Sequence, residues 1–555
     1  MIERLAFALL GLAWLVPNHY TPWSSFYNEA VAVVGLALLA LPLRSAKPVS
    51  APVAAWFIFA ASGIVLVQWA VGQIAYAGDA WVSILYLAAF ATAVIVGHHR
   101  ATISADGLAQ GLSLTLLVGG LISAVLALTQ ALDLRDFGDW VENAPSFRPF
   151  ANLGQPNNLA TLLGLAALGL LLLYERRRVS PWTCAALLVP LVLAGALTQS
   201  RTALLFGPLV CLGLFLAKRR GLPMKTSPRI VVGLFVVQWL FAAFWPSIHD
   251  TLLLAADVQQ SLAQRGLESR RFQMWPLLFD ALMGSPWFGF GWLQIGAAQL
   301  SVANSHAPTG ELWMHGHNLF VDLLVWCGFP LGLFLCFAVS YWFCSRWRKV
   351  QSVEATVGML SVTIFGLHSM LELPHHYLYF LVPIGLWIGQ IERWTNAPVV
   401  GGSRWSLVPQ VLVVVLGLGI AKDYMAVEED FRLVRFENLK IGPANQQQSA
   451  PNALMLSGLT SFLRFARTEP VRGLTRAQLD SMEANVRRYP YSSSLYRLGI
   501  ALALNGRVEE AKERLVSVRH IFGEATYRGV RASLQSRIDL GDAPELVRLQ
   551  SSLPD

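Results

Sequence analysis

Long apolar runs separated by short polar connections constrain this chain of 555 residues more than any other feature. A bilayer core is about 30 Å thick, so a spanning helix needs about 20 mostly apolar residues. Hydrophobic residues make up 55% of the chain and charged residues only 14%, against about 25% in soluble proteins. The pattern predicts an all-α, polytopic membrane protein with about thirteen transmembrane helices, near residues 5–17, 29–43, 51–72, 79–97, 109–131, 158–174, 182–198, 202–217, 230–247, 318–343, 354–371, 377–391 and 406–422.

The basic residues predict the orientation of these helices, because Lys and Arg concentrate in cytoplasmic connections. One alternating set of connections carries seventeen of them, and the N-terminus belongs to that set. The longer opposite connections carry only Arg135, Arg148, Arg201, Arg265, Arg270 and Arg271. The N-terminus is therefore predicted in the cytoplasm. The segments predicted on the outer side are 132–157, 199–201, 248–317, 372–376 and everything after about 423. The net charge of +8 is then mostly cytoplasmic anchoring, and no nucleic-acid partner is expected.

From about residue 424 the composition changes to that of a soluble helical domain. A loop is predicted at residues 442–448, and two apolar stripes separated by Asn505-Gly506 predict a helix pair within residues 489–522. The pair resembles one tetratricopeptide repeat, and an ordinary helical hairpin fits it equally well. We predict a transmembrane domain at 1–423, with a large outer loop at 248–317, and an outer helical domain at 424–555.

The five cysteines all lie in or at the ends of apolar runs, so the sequence predicts neither a disulfide framework nor a zinc site built on them. Histidine pairs at 315/317 and 375/376 suggest a metal site. Neither pair has the spacing of a zinc enzyme, and no clear carboxylate set joins them. No metal and no other cofactor is therefore predicted.

Several polar residues on the predicted outer side lie close to helix ends. His315 and His317, in Met314-His315-Gly316-His317-Asn318-Leu319-Phe320, mark the boundary between a polar segment and an apolar run. Arg201 lies in a connection of a few residues, where an unneeded arginine costs up to a few kcal/mol. Its planar guanidinium suits a phosphate, although an arginine that reaches for lipid headgroups is the alternative.

Three further groups share this position. Gln155 precedes Asn157 and Asn158, either of which is a natural cap for a helix that begins near Leu159. Capping explains the asparagines but leaves the Gln155 amide available for a sugar hydroxyl or a phosphate oxygen. Arg271 and Trp275 share a helical face at i, i+4, and residues 284–291, rich in glycine and aromatics, follow as a compact interfacial loop. His376 and Tyr377 lie in another short outer turn.

Together these motifs resemble the O-antigen ligase and polymerase (WaaL/Wzy) superfamily. The resemblance is carried by Gln155-Pro156-Asn157-Asn158, by Ser200-Arg201, by the Arg271–Trp275 pair and, above all, by His317-Asn318-Leu319-Phe320. The segment from Tyr20 to Glu29, Pro374-His375-His376-Tyr377 and the C-terminal helical domain resemble one branch, the PglL-type protein O-oligosaccharyltransferases. The fold implied is GT-C-like, with the catalytic site in the transmembrane domain of a bacterial inner-membrane protein.

By this resemblance the chain transfers a glycan en bloc from undecaprenyl pyrophosphate to a Ser or Thr hydroxyl of a periplasmic or pilin-like protein. His317 is the expected general base, because histidine can accept a proton near neutral pH. Arg201 is expected to bind the pyrophosphate and stabilise charge on the leaving group. Gln155, Tyr377, Arg271, Asn318 and His376 are expected substrate-binding residues.

Two other functions fit the same residues less well. An O-antigen ligase would use the same chemistry with a sugar acceptor on lipid A core. A transporter of lipid-linked glycans without catalysis should show internal repeats and charged residues in mid-membrane, and neither is clear in the sequence. His315 and His376 remain alternatives to His317 as the base.

Overall fold

A computed structural model describes residues 1–17, 19–44, 49–104, 106–134, 138–141, 147–254, 271–400, 404–439, 449–541 and 543–554. The first half of this part of the chain forms the α-helices α1 (Ile2–Leu12), α2 (Phe26–Ala40), α3 (Val53–Ala70), α4 (Ala77–Ile103), α5 (Gly107–Ala131), α6 (Pro156–Glu175), α7 (Pro181–Leu197), α8 (Phe206–Arg219) and α9 (Pro228–Thr251). The second half forms α10 (Arg271–Gly284), α11 (Ile295–Val302), α12 (Leu319–Lys349), α13 (Val353–Leu371), α14 (Leu378–Trp394), α15 (Val408–Leu439), α16 (Ser457–Arg467), α17 (Arg476–Arg488), α18 (Ser492–Leu504), α19 (Val508–Phe522), α20 (Glu524–Asp539) and α21 (Pro544–Ser552).

The predicted all-α class is confirmed. Within the described ranges the only strands are β1 (Ala51–Pro52) and β2 (Val399–Val400), which pair antiparallel with Ala51 opposite Val400. Arg135, Arg265 and Arg270 of the charge count, and the loop predicted at 442–448, lie outside the described residues.

All thirteen predicted apolar windows coincide with helices, but they differ in length. Nine helical stretches in the described ranges are long and apolar enough to cross a membrane, with α2 counted together with the 3-10 turn that extends it to Leu43. The other four windows correspond to α1, α7, α8 and α14, which have 11, 17, 14 and 17 residues. At about 1.5 Å per residue these helices are shorter than a bilayer core is thick. The chain is a multi-pass membrane protein, and thirteen crossings stay a prediction.

The chain divides into two compact units, each built from several segments. The first unit comprises Met1–Ser62, Leu85–Glu268 and Val339–Gly417. It contains most of the apolar helices, and small residues allow them to approach closely. A Cβ atom on Gly389 of α14 would collide with the carbonyl oxygen of Val94 on α4. Such contacts between small residues are typical of helix packing in membranes, where water exclusion contributes little.

The second unit comprises Gly63–Ile84, Ser269–Ala338 and Leu418–Asp555. Its apolar core lies among α17 to α21, where Leu498, Ala501 and Leu515 are fully buried. The predicted helix pair is confirmed as α18 and α19, with Gly506 in the left-handed region (φ 83°) at the turn. The loop after α11 is bound to this pair, because Thr309 N donates to the His520 carbonyl at 2.8 Å.

Candidate active site

The His315–Asn318 segment leads directly into α12, and its last residue caps that helix. The Asn318 Oδ1 accepts hydrogen bonds from the backbone N–H groups of Phe320 (2.9 Å) and Val321 (3.2 Å). These are two of the N–H groups that have no partner within the helix. Capping of the helix is therefore performed by Asn318, so it does not account for His317, which lies just outside in a left-handed conformation (φ 50°).

The peptide between the two histidines is held from both sides within the second unit. Gly316 N donates to Asp322 Oδ1 at 2.6 Å, and the Gly316 carbonyl accepts the indole N–H of Trp275 at 2.9 Å. Asp322 is fully buried one turn into α12. The rings of His315 and His317 meet edge to face with centroids 4.3 Å apart. A left-handed non-glycine residue is a strained conformation, and these contacts hold it in place.

Trp275 connects this turn to the helix that carries Arg271. Arg271 is the first residue of α10, and Trp275 lies one turn further along the same helix, as predicted. Side chains at i, i+4 are neighbours on a helix surface. The half-buried Arg271 side chain is therefore carried by the helix that binds Gly316. The sequence indicated the Arg271–Trp275 pair but missed Asp322, whose only signal is an acidic residue in the first turn of an apolar helix.

In the first unit, Gln155 is the N-cap residue of α6, and Pro156 occupies the first helical position. The prediction that Asn157 or Asn158 caps this helix is wrong, because proline favours the first turn and the helix begins three residues before Leu159. The side-chain oxygen of Gln155, Oε1, is buried and has no hydrogen-bond partner among the described residues. A buried amide oxygen without a partner is costly, so this oxygen can accept a hydrogen bond that the described residues do not supply.

The asparagines that follow reach across to the segment around Tyr377. Asn157 Nδ2 donates to Glu372 Oε1 at 3.2 Å, and Asn158 Nδ2 donates to the Tyr379 hydroxyl at 3.2 Å. The rings of Tyr377 and Tyr379 stack at 5.0 Å. The structure thus brings the Gln155 segment and the Tyr377 segment together within the first unit.

His376 and Tyr377 lie in the connection between α13 and α14. His376 ends a short 3-10 turn, Pro374–His376, and its ring contacts that of His375 with centroids 4.6 Å apart. Burial raises the pKa of the partly buried Tyr377 to about 12. A tyrosine hydroxyl is protonated at neutral pH even without this shift, so it can donate a hydrogen bond.

Arg201 is exposed in the turn between α7 and α8, whose neighbouring residues are buried and anchored. Gln199, in the left-handed region (φ 50°), donates through Nε2 to the Ala242 carbonyl at 2.9 Å. Arg148 Nε donates to the Thr198 carbonyl at 3.2 Å, three residues before Arg201. A second arginine therefore lies at this turn.

The segment that carries Arg148 is itself fixed to α5. Gln130 donates to the Ala151 carbonyl at 2.9 Å and accepts from the Ala151 N–H at 2.8 Å. Trp245 donates to the Phe147 carbonyl at 3.2 Å. Sequence reasoning missed the roles of Arg148 and Gln130, because both depend on contacts between distant parts of the chain.

Comparison with known proteins decides the family. Residues 185–336 match the family described as "O-Antigen ligase", and residues 356–536 match "Virulence factor membrane-bound polymerase, C-terminal". The chain is 30% identical over 538 residues to a general O-oligosaccharyltransferase of Acinetobacter baylyi, covering 94% of this chain and 92% of the relative. The chain belongs to the O-oligosaccharyltransferase family. A ComP-specific O-oligosaccharyltransferase of the same organism is 29% identical over 386 residues, or 69% of each chain.

The predicted PglL-type branch of the O-antigen ligase superfamily is thereby confirmed. Within this O-oligosaccharyltransferase, the O-antigen ligase match includes Arg201, Arg271, His317 and Asn318. His376 and Tyr377 fall in the second match, whereas Gln155 precedes both. The predicted site residues thus extend from residue 155 to residue 377 and fall in both matches and before them.

Proposed function

We propose that this enzyme is an oligosaccharyltransferase that moves a glycan en bloc from undecaprenyl pyrophosphate to Ser or Thr hydroxyls of periplasmic or pilin-like proteins. The observation that carries the proposal is similarity along 94% of the chain to a general O-oligosaccharyltransferase. That similarity supports a lipid-linked glycan donor and a protein acceptor. The proposal goes beyond this similarity in two points: the lipid carrier is undecaprenyl, and the acceptor is a pilin-like protein.

In the proposed reaction the acceptor hydroxyl oxygen attacks the anomeric carbon of the donor sugar. A new carbon–oxygen bond forms as the bond from that carbon to the pyrophosphate oxygen breaks, and undecaprenyl pyrophosphate leaves with the bonding electron pair. His317 accepts the hydroxyl proton. The left-handed turn held by Asp322 and Trp275 supports this role, because it fixes the imidazole at the end of a membrane helix.

The proposed binding residues complement the charge of the donor. Arg201 binds the pyrophosphate and stabilises the charge that develops on it, and Arg271 is a second phosphate ligand. Gln155 and Tyr377 orient the pyrophosphate or the sugar, supported by the unpartnered Gln155 oxygen and the protonated Tyr377 hydroxyl. His376 and Asn318 complete the proposed set, with Asn318 acting through the backbone that it caps.

We also propose that the enzyme lies in the bacterial inner membrane with its N-terminus in the cytoplasm. The site residues, the loop at 248–317 and the helical domain at 424–555 face the periplasm. The distribution of basic residues supports this orientation.

A transfer assay tests the function. The purified full-length protein in liposomes receives an undecaprenyl-pyrophosphate-linked glycan together with a pilin and a lipid A core acceptor, without an energy source. We expect glycosylated pilin and free undecaprenyl pyrophosphate. Product only on lipid A core would instead establish an O-antigen ligase, a function favoured by the family match at 185–336. Movement of the donor across the bilayer without any product would establish a transporter.

A further inference from the structure

The long helix α12 is broken inside its apolar part. Gly328 has φ 75° and ψ 174°, outside the helical region, and Pro330 follows. A proline has no N–H, so the Trp326 carbonyl loses its helical partner four residues on. A break in a membrane helix is tolerated only where the freed backbone groups find other partners.

Residues 285–291, the loop after α10, supply these partners within the second unit. Phe290 N donates to the Val325 carbonyl at 2.8 Å, and Gly291 N donates to the Trp326 carbonyl at 3.1 Å. Phe329 N donates in turn to the Pro286 carbonyl at 2.7 Å. From α3, the buried Gln68 side chain donates to the Trp326 carbonyl at 2.8 Å and accepts from Trp292 N at 2.9 Å.

Glycine makes this close approach possible. Gly289 has φ 66°, and a Cβ atom there would collide with the Val325 carbonyl and lie 2.6 Å from Gly328 N. The backbone of the loop is therefore packed directly against the backbone of α12 at the break.

That depth follows from the length of α12. The basic end of the helix begins at Arg346, and about 18 residues separate it from Gly328. At ~1.5 Å per residue this is about 27 Å of helix, close to the thickness of the hydrocarbon core. The break, and the loop packed against it, therefore lie in the outer half of the bilayer, with nine mostly apolar residues of α12 before Gly328.

The surface of this loop and of the preceding helix end is apolar. Trp287 is 70% exposed and Phe288 73% exposed. Phe279 and Met283, one turn apart on α10, are also exposed. Phe279 contacts Phe329 of α12 edge to face at 5.9 Å. The exposed face is thus continuous with the exposed apolar surface of α12 at Leu333 and Phe337.

A polar contact limits the apolar face. Asp280, next to Phe279 but about 100° away around the helix, lies 3.1 Å from His306 Nε2 in the loop after α11. The side of α10 that carries Asp280 therefore faces the loop that is bound to α19, and Phe279 and Met283 lie about 100° and 60° around the helix from it, on its apolar side.

We propose that residues 279–291 form a membrane wedge that inserts into the outer layer of the bilayer, with Phe279, Met283, Trp287 and Phe288 in contact with lipid acyl chains. Aromatic side chains are favoured at this depth. The wedge anchors α10 to the membrane surface, and α10 carries Trp275, which holds the His315–His317 turn. The proposal depends on α12 spanning the membrane and is independent of the glycan that the enzyme transfers.

Site-directed spin labelling of the full-length protein in lipid nanodiscs tests the wedge. In a variant without the five native cysteines, single cysteines replace Met283 or Phe288. Phe337→Cys serves as a lipid-exposed control, and the exposed Ser305→Cys in the same unit serves as a water-exposed control. We expect labels at 283 and 288 to be more accessible to oxygen than to a water-soluble nickel complex, as at 337, with the reverse at 305.

Accessibility at 283 and 288 equal to that at 305 would overturn the wedge. Low accessibility to both reagents, with dipolar broadening between labels, would instead place a second copy of the chain on this face and also overturn it.

The unmodified protein gives a second measurement that needs no cysteine variant. Nanodiscs containing a phospholipid with a diazirine near the carboxyl end of one acyl chain, at the depth proposed for the wedge, are irradiated, and the adducts are mapped on chymotryptic peptides. We expect adducts on residues 279–288. Adducts on the Leu333–Phe337 segment without any on the wedge would contradict the proposal.

Discussion

The segments Gln155–Asn158 and His315–Asn318 both lead into an apolar helix, and they use their asparagines differently. In the second, Asn318 caps α12, and the preceding turn is held by local and nearby contacts. In the first, Gln155 stands at the cap position, and Asn157 and Asn158 bind Glu372 and Tyr379 instead.

The difference separates two ways to expose a polar group at a membrane surface. In the second segment Asn318 caps the helix, so the residue before it, His317, is not the cap. The backbone next to His317 is bound by Asp322 and Trp275. Where the asparagines tie two connections together, the residue before them, Gln155, keeps a buried oxygen without a partner in the described structure. In both cases the candidate site residue lies directly before residues that have structural roles.

Among the variants that test the supports of these two segments, Asp322→Ala is expected to have the largest effect, because it removes the acceptor of the Gly316 N–H. A hydrogen bond to a charged group contributes about 1.5–3 kcal/mol, so we expect the transfer rate to fall roughly 10- to 100-fold. Initial rates at saturating donor measure this, and Asp322→Asn, which retains an acceptor oxygen, should lose less. A wild-type rate in Asp322→Ala would show that the turn needs no support from this carboxylate.

A smaller effect, on stability, distinguishes the two roles in the first segment. Asn158→Ala removes the hydrogen bond to the buried Tyr379 hydroxyl, at a cost of about 1–3 kcal/mol. Gln155→Ala breaks no side-chain hydrogen bond of the described structure and should leave the unfolding temperature close to wild type while it lowers transfer. Thermal unfolding in detergent compares the two variants. A larger drop in unfolding temperature for Gln155→Ala than for Asn158→Ala would contradict the roles assigned to these two residues.

The smallest effect is expected from loss of the α12 cap. Asn318→Ala should destabilise the protein by about 0.5–2 kcal/mol, and Asn318→Asp should recover most of that loss because its carboxylate can accept the same N–H groups. Equal behaviour of Asn318→Ala and Asn318→Asp would show that capping contributes nothing here.

The sequence was sufficient to predict the fold class, because each apolar window is long enough to require a helix whatever it packs against. The α18–α19 pair was predicted for the same reason, since its apolar stripes and the Asn505-Gly506 turn are local signals. The prediction that Asn157 or Asn158 caps α6 was wrong, because Pro156 occupies the first helical position and the helix begins there, before both asparagines. Asp322, Arg148 and the break at Gly328 were missed or unexplained, since their roles depend on partners elsewhere in the chain.

The central claim is that His317 is the general base, and its neighbour His315 provides the matched control. In the transfer assay with a defined pilin acceptor, His317→Ala should lower the rate at least about 100-fold, because general-base catalysis contributes about 10²–10⁴. His315→Ala removes the edge-to-face contact with His317 but leaves the proposed base in place, so it should lower the rate less than about tenfold. A wild-type rate in His317→Ala, or a larger loss in His315→Ala, with equal amounts of folded protein, would contradict the assignment.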